Sequence, residues 1–118
     1  MSKSDRNNID WLLDILDSIE KILRYTDGMT YQDFTANELV VDAVLRNFGI
    51  IGEAANNLGE NFHEAHLEIE WRLVINFRHR VVHHYFGMDD QIVWEIIEDE
   101  LPKLERKINE IITKLETK

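Results

Sequence analysis

The sequence predicts an all-α fold, an antiparallel up-and-down bundle of four main helices with one short helix or turn between them. Three observations lead to that expectation. The 118 residues include one Pro and five Gly, so there are few points at which a helix must break. Long stretches place apolar residues three and four apart, the period of an α-helix, and no stretch sustains the alternation of a strand. The connections between these stretches are short, which makes neighbouring helices antiparallel.

The first helix is expected over residues 4–26, with Ile9, Leu12, Leu13, Leu16, Ile19 and Leu23 as its apolar stripe and Asp27-Gly28 as its stop. Thr30-Tyr31-Gln32-Asp33 has the form of a capping box over a short turn. The second helix begins at Thr35 or Asn37 and runs to Leu58, burying Leu39, Val41, Val44, Leu45, Phe48, Ile51, Ala55 and Leu58. Gly49 and Gly52 inside it each cost about 1 kcal/mol against Ala, which suggests close approach of another backbone. Residues 59–68 read as a loop. The third helix is expected over 69–86, ended by Gly87. Asp89 or Asp90 caps the last helix, which reaches Leu115 with Ile97, Leu101, Leu104, Ile108, Ile111 and Leu115 on one seam. Pro102 falls within that seam and should kink the helix or restart it near Leu101. Trp11, Trp71 and Trp94 read as anchors of the core or of a dimer interface.

The length suits one domain, residues 1–118, with no repeat, low-complexity tract or linker. There is no Cys, hence no disulfide and no thiolate metal site, in keeping with a reducing cytoplasm. No apolar run resembles a signal peptide or a membrane span. The net charge of −10 argues against a general nucleic-acid coat protein but leaves room for a local basic cleft.

Such a cleft has a candidate. Residues 71–88 contain Arg72, Arg78 and Arg80 together with His79, His83 and His84, and no Asp or Glu; all 23 acids lie elsewhere. Arg grips phosphate oxygens in a bidentate fashion and stays charged. His exchanges a proton near neutral pH. Together they suit chemistry on a phosphodiester.

The motifs in order are Tyr31-Gln-Asp-Phe34, Ile50-Ile-Gly-Glu-Ala-Ala55, Trp71-Arg72, Arg78-x-x-x-x-His83-x-Tyr85, and Val93-Trp94 to Leu101-Pro102. In these the chain resembles the HepT family of HEPN-domain ribonuclease toxins over most of its length. The resemblance implies a HEPN-like helical bundle and a homodimer, or a larger hetero-oligomer, that brings two Arg–His motifs into one cleft. It implies metal-independent cleavage of RNA with no cofactor. It also implies a partner, an MntA-type nucleotidyltransferase antitoxin that moves AMP from ATP onto the motif tyrosine, by position Tyr85. The family most often has Asn directly after the motif Arg; here His79 stands there and keeps a ring donor or acceptor.

Metal-free RNA cleavage needs a base for the 2′-hydroxyl, charge stabilisation at phosphorus and an acid for the leaving 5′-oxygen. His83 is the expected base or acid, and Arg78 the expected stabiliser of the non-bridging oxygens. The products would be a 2′,3′-cyclic phosphate and a 5′-hydroxyl. Five residues of ideal helix turn through about 500°, so Arg78 and His83 differ by about 140° around one axis. The reach of Arg, a local bulge, or pairing across a two-fold axis would bring them together; the dimer is favoured because it also supplies a second His.

Each residue has a plainer reading. His83 could be a buried helix histidine bonded to backbone or a carboxylate. Arg78 could pair with an acid such as Glu53, and Tyr85 could be a half-buried aromatic. Arg72 and Arg80 suit solvated or RNA-facing surface, and His79 and His84 suit shaping of the cleft. His79-x-x-x-His83 and His63-x-x-His66 have spacings that can share a metal, but neither forms a known hydrolase motif, and no metal is expected. The leading expectation is therefore an endoribonuclease of a type VII-like toxin–antitoxin pair. The alternative is a non-catalytic module that docks a minimal nucleotidyltransferase and binds nucleotide or nucleic-acid phosphate.

Overall fold

A computed structural model describes residues 7–77 and 90–117. Among the described residues the chain is an all-α antiparallel bundle with no strand. Helix α1 spans Asn8–Tyr25. Asn7 Oδ1 accepts the Asp10 N–H at 3.0 Å, and the Asp10 carboxylate accepts the Asn7 N–H at 3.4 Å. This reciprocal box holds Asn7 in extended backbone (φ −91°, ψ 172°), so the helix starts at Asn8 and not at residue 4. At the other end the buried Thr26 donates its hydroxyl to Ile22 O at 2.8 Å, and Gly28 takes φ +75°.

The face that α1 buries is Leu12, Ile15, Ile19 and Ile22, with Ser18 beside them. The expected stripe of Ile9, Leu12, Leu13, Leu16, Ile19 and Leu23 holds at Leu12 and Ile19, but its centre is off by roughly 70°: Ile9, Leu16 and Leu23 are only partly buried and Leu13 is 46% exposed. Apolar residues cover more than half of the circumference of α1, so periodicity alone does not pick the centre of the arc.

Helix α2 (Tyr31–Ala36) is held by the expected box: Thr30 Oγ1 accepts the Asp33 N–H and Asp33 Oδ2 accepts the Thr30 N–H, both at 3.0 Å. Asn37 then serves two helices. Its N–H donates to Phe34 O, and its side-chain oxygen accepts the Val40 N–H at 3.1 Å to start α3, Glu38–Asn57. The expected stripe of α3 is buried from Val41 to Leu58, but Leu39 is 80% exposed. Leu39 shares a line with Asp42, Arg46 and Glu53, all exposed, and so falls on the solvent side of the first turn. Among the described residues close approach is not found at Gly49, where an added Cβ would meet nothing within 4 Å.

The stretch expected as a loop contains a helix. Gly59, at φ +86°, turns the chain, and α4 occupies Glu60–Ala65. Helix α5 covers Trp71–Ile75 and closes at Asn76, whose N–H reaches Arg72 O at 3.0 Å. The expected uninterrupted helix over 69–86 is thus broken at Asn76, a residue type that competes with helix by local bonding; its part from Arg78 onward lies outside the described residues. The chain is described again from α6, Asp90–Glu95, so a cap by Asp89 lies outside as well.

A π-helical turn at Ile96–Glu100 then leads into α7, Leu101–Glu116, with Pro102 in its first turn. The expected restart at Leu101 is what occurs. In an unbroken α-helix the Pro102 ring would press on the Glu98 carbonyl. The wider turn, in which the Leu101 N–H reaches back to Ile96 O, relieves that contact.

Helix α1 packs along α3 and α7, α3 packs against α5, and α2 lies on α3 and α6. Ring contacts set the directions. Phe48 meets Phe77 edge-on at 5.5 Å, while Ala55, two turns later on α3, is bonded from His63, which stacks on Trp71. The chain from Trp71 to Phe77 therefore runs antiparallel to α3. Trp71 and Trp94 are buried, and Trp11 is partly buried against the core.

Candidate functional site

Arg78, His79, Arg80, His83, His84 and Tyr85 lie outside the described residues, as does the His79–His83 pair. What the structure describes is how the chain is held on either side of them. On the near side, Ile69, Trp71, Val74 and Phe77 are all buried, so the segment enters from the core and not from a loose surface strand. On the far side, Val93 and Trp94 are buried, with the Trp94 ring 5.3 Å from Phe34 on α2. The run Gly52-Glu53-Ala54-Ala55 presents Gly52, Ala54 and Ala55 to the interior and Glu53 to solvent. Helix α5 packs against α3.

A cluster of four rings fastens the entry. His63 Nε2 lies 2.8 Å from Ala55 O. A carbonyl only accepts, so Nε2 carries the proton and donates. The same imidazole stacks on the Trp71 indole, with centroids 5.0 Å apart and planes 24° from parallel. Trp71 Nε1 donates to His66 O at 2.9 Å. Phe62 completes the group, 4.3 Å from the His66 ring and 5.8 Å from Trp71. The metal-like spacing of His63 and His66 thus resolves into a hydrogen bond and aromatic packing. The sequence reading missed this role. Its signal was an aromatic-rich run, Phe62-His63 and His66 ahead of Trp71, in a stretch too polar to read as core.

Arg72 is exposed on α5. It lines an open groove of about 900 Å³ between α4 and α5, with Asn56, Glu60, His63, Glu64, Glu70 and Asn76 among the polar groups. Glu60, Glu64 and Glu70 outnumber the one guanidinium in its lining, so the described groove is acidic. Among the described residues no three His, Asp or Glu gather into a metal-holding group, and no helix is long and apolar enough to cross a membrane.

The described chain is an all-α bundle whose sequence carries an Arg–His motif in a basic segment flanked by buried aromatics. Residues 15–111 match the family Ribonuclease HepT-like. The chain is 35% identical over 104 residues to a protein of Caldanaerobacter subterraneus subsp. tengcongensis named "Putative RNase", covering 88% of this chain and 93% of that one. It is 34% identical over 106 residues to the "Probable ribonuclease HepT" of Thermococcus cleftensis, covering 90% and 96% respectively. A protein of Methanocaldococcus jannaschii, also named "Putative RNase", is 34% identical over 106 residues, 90% of this chain and 88% of that one. No solved structure matches. The chain belongs to the HepT-like ribonuclease family, and it is an endoribonuclease.

Proposed function

We propose that the chain cleaves RNA without a metal through Arg78 and His83, in a cleft formed by two copies of a single domain spanning residues 1–118. The observation behind this reading is the confinement of Arg78-x-x-x-x-His83-x-Tyr85 to an acid-free segment within the family match. His83 of one copy removes the 2′-hydroxyl proton. The 2′-oxygen attacks the adjacent phosphorus, Arg78 holds the non-bridging oxygens, and the P–O5′ bond breaks. The second His83 gives its proton to the departing 5′-oxygen. Arg72, Arg80, His79 and His84 guide the RNA.

The regulation follows from the same segment. A nucleotidyltransferase antitoxin of the MntA type adenylylates Tyr85: the phenol oxygen attacks the α-phosphorus of ATP and pyrophosphate leaves. This places a bulky anion two residues from His83, where it blocks a phosphodiester by charge and by volume. The chain then works in the cytoplasm as the toxin of a type VII-like pair.

The test is cleavage of a labelled RNA in EDTA by the wild type, Arg78→Ala and His83→Ala. We expect each substitution to lower the rate by about 10²–10⁴-fold and the product to carry a 2′,3′-cyclic phosphate. Equal cutting by all three proteins would refute the assignment. An AMP adduct mapped by mass spectrometry to a residue other than Tyr85 would refute the regulatory half.

A further inference from the structure

We propose that His63 is a positioning residue for RNA cleavage, because its ring joins the end of α3 to the residue that opens α5 and so fixes the direction in which the chain enters the Arg78–His83 segment. This rests on the site proposed above.

The argument begins at the C-terminal end of α3. The last carbonyls of a helix have no partner one turn on. Ala55 O is one of them; it takes a 3.3 Å bond from Leu58 N–H and the 2.8 Å bond from the His63 ring. A histidine donor is well placed there, since the carbonyl end of a helix carries partial negative charge. The bond ties α4 to the end of α3.

The other face of the same ring does the second job. Trp71 is buried and lies nearly parallel to the imidazole. Its indole N–H is held by His66 O, one residue beyond α4. The indole is therefore fixed in its plane by a hydrogen bond and across its plane by a stack. Phe77, six residues later, is fixed against Phe48 of α3. One anchor sets a position, whereas two set a direction, and Arg78 follows directly on the second. Packing alone would be served by Phe at position 63. The imidazole adds the bond to α3, which an all-carbon ring lacks.

His63 touches no substrate in this account. Its effect is on where the reacting groups stand, and misplacement by about 1 Å costs about 10²-fold in rate. Two partial variants separate its functions. His63→Phe keeps a ring for Trp71 and loses the bond to Ala55 O. His63→Gln keeps a donor of similar reach and loses the stack. RNA cleavage is measured in EDTA well below the melting temperature, as kcat and KM per folded molecule, beside Arg78→Ala and His83→Ala. The Trp71 indole N–H resonance is followed in each protein by NMR. We expect kcat to fall about 10- to 100-fold in either variant, with KM within about two-fold and the indole resonance displaced.

A purely structural role would lower the melting temperature and leave kcat per folded molecule at the wild-type value. That result, with His83→Ala inactive, overturns the positioning role and leaves the proposed site standing. A wild type that does not cut RNA overturns the site and this inference with it. If one variant fails to fold, the other decides.

Discussion

Replacing Gly49 by Ala should stabilise this protein. Gly49 lies in the interior of the 20-residue helix α3 and is partly exposed, and a Cβ built on its backbone meets nothing within 4 Å among the described residues. Glycine in a helix interior gives up about 1 kcal/mol against Ala, mostly because the unfolded chain loses more freedom on ordering. At about 2.1 cal/mol/K per residue, a chain of 118 residues has an unfolding entropy near 0.25 kcal/mol/K, so about 1 kcal/mol raises the melting temperature by about 4 °C. Thermal and urea unfolding followed by circular dichroism at 222 nm would show it, with the urea midpoint rising and the m-value unchanged. A fall in melting temperature would refute the reasoning and show that the Gly49 backbone is covered in solution. A fall that grew with protein concentration would identify the cover as a second copy.

Two further substitutions test the local accounts. Thr30→Ala removes the side-chain half of the α2 box, in which Asp33 N–H is 3.0 Å from Thr30 Oγ1, and should cost about 1 kcal/mol in urea unfolding; a loss below about 0.3 kcal/mol would mean that Asp33 alone holds the turn. Phe77→Ala empties a site that is 2% exposed and removes the edge contact to Phe48, so a loss of about 3–5 kcal/mol is expected, and a loss under about 1 kcal/mol would show that Phe77 is not an anchor of the segment that follows.

The parts legible in the sequence are those set by short-range chemistry. Thr30-x-x-Asp33 is complete within four residues, and it forms as read. Pro102 acts on the carbonyl four residues back, so a restart at Leu101 could be read, although the π-helical form of the preceding turn could not. The Asn7-x-x-Asp10 box is equally local, and it starts α1 at Asn8. The burial of α1 depends instead on where α3 and α7 lie, which apolar spacing on one helix does not encode. The His63–Trp71 bracket was illegible for the same reason: its bond to Ala55 spans eight residues and exists only once Gly59 has reversed the chain. The chemistry proposed for Arg78, His83 and Tyr85 is legible as motif and charge, both of which lie within a few residues of sequence.

The placement of the rings bears on how such a site can work. Catalytic cations must stand against a polyanion that is already hydrated and mobile, so the protein has to supply order in advance. In a chain of net charge −10, a cationic segment would be drawn toward its own carboxylates unless something holds it off. The described chain is anchored on both flanks of that segment. Phe77 on Phe48 and Trp94 on Phe34 bind the two ends of the segment by apolar contact, which salt does not screen. The carboxylates closest in sequence on the near side, Glu68 and Glu70, are exposed and precede the bracket at Trp71. Removing Phe77 should cost folding stability directly, whereas the role proposed for His63 is read as kcat per folded molecule and not as stability.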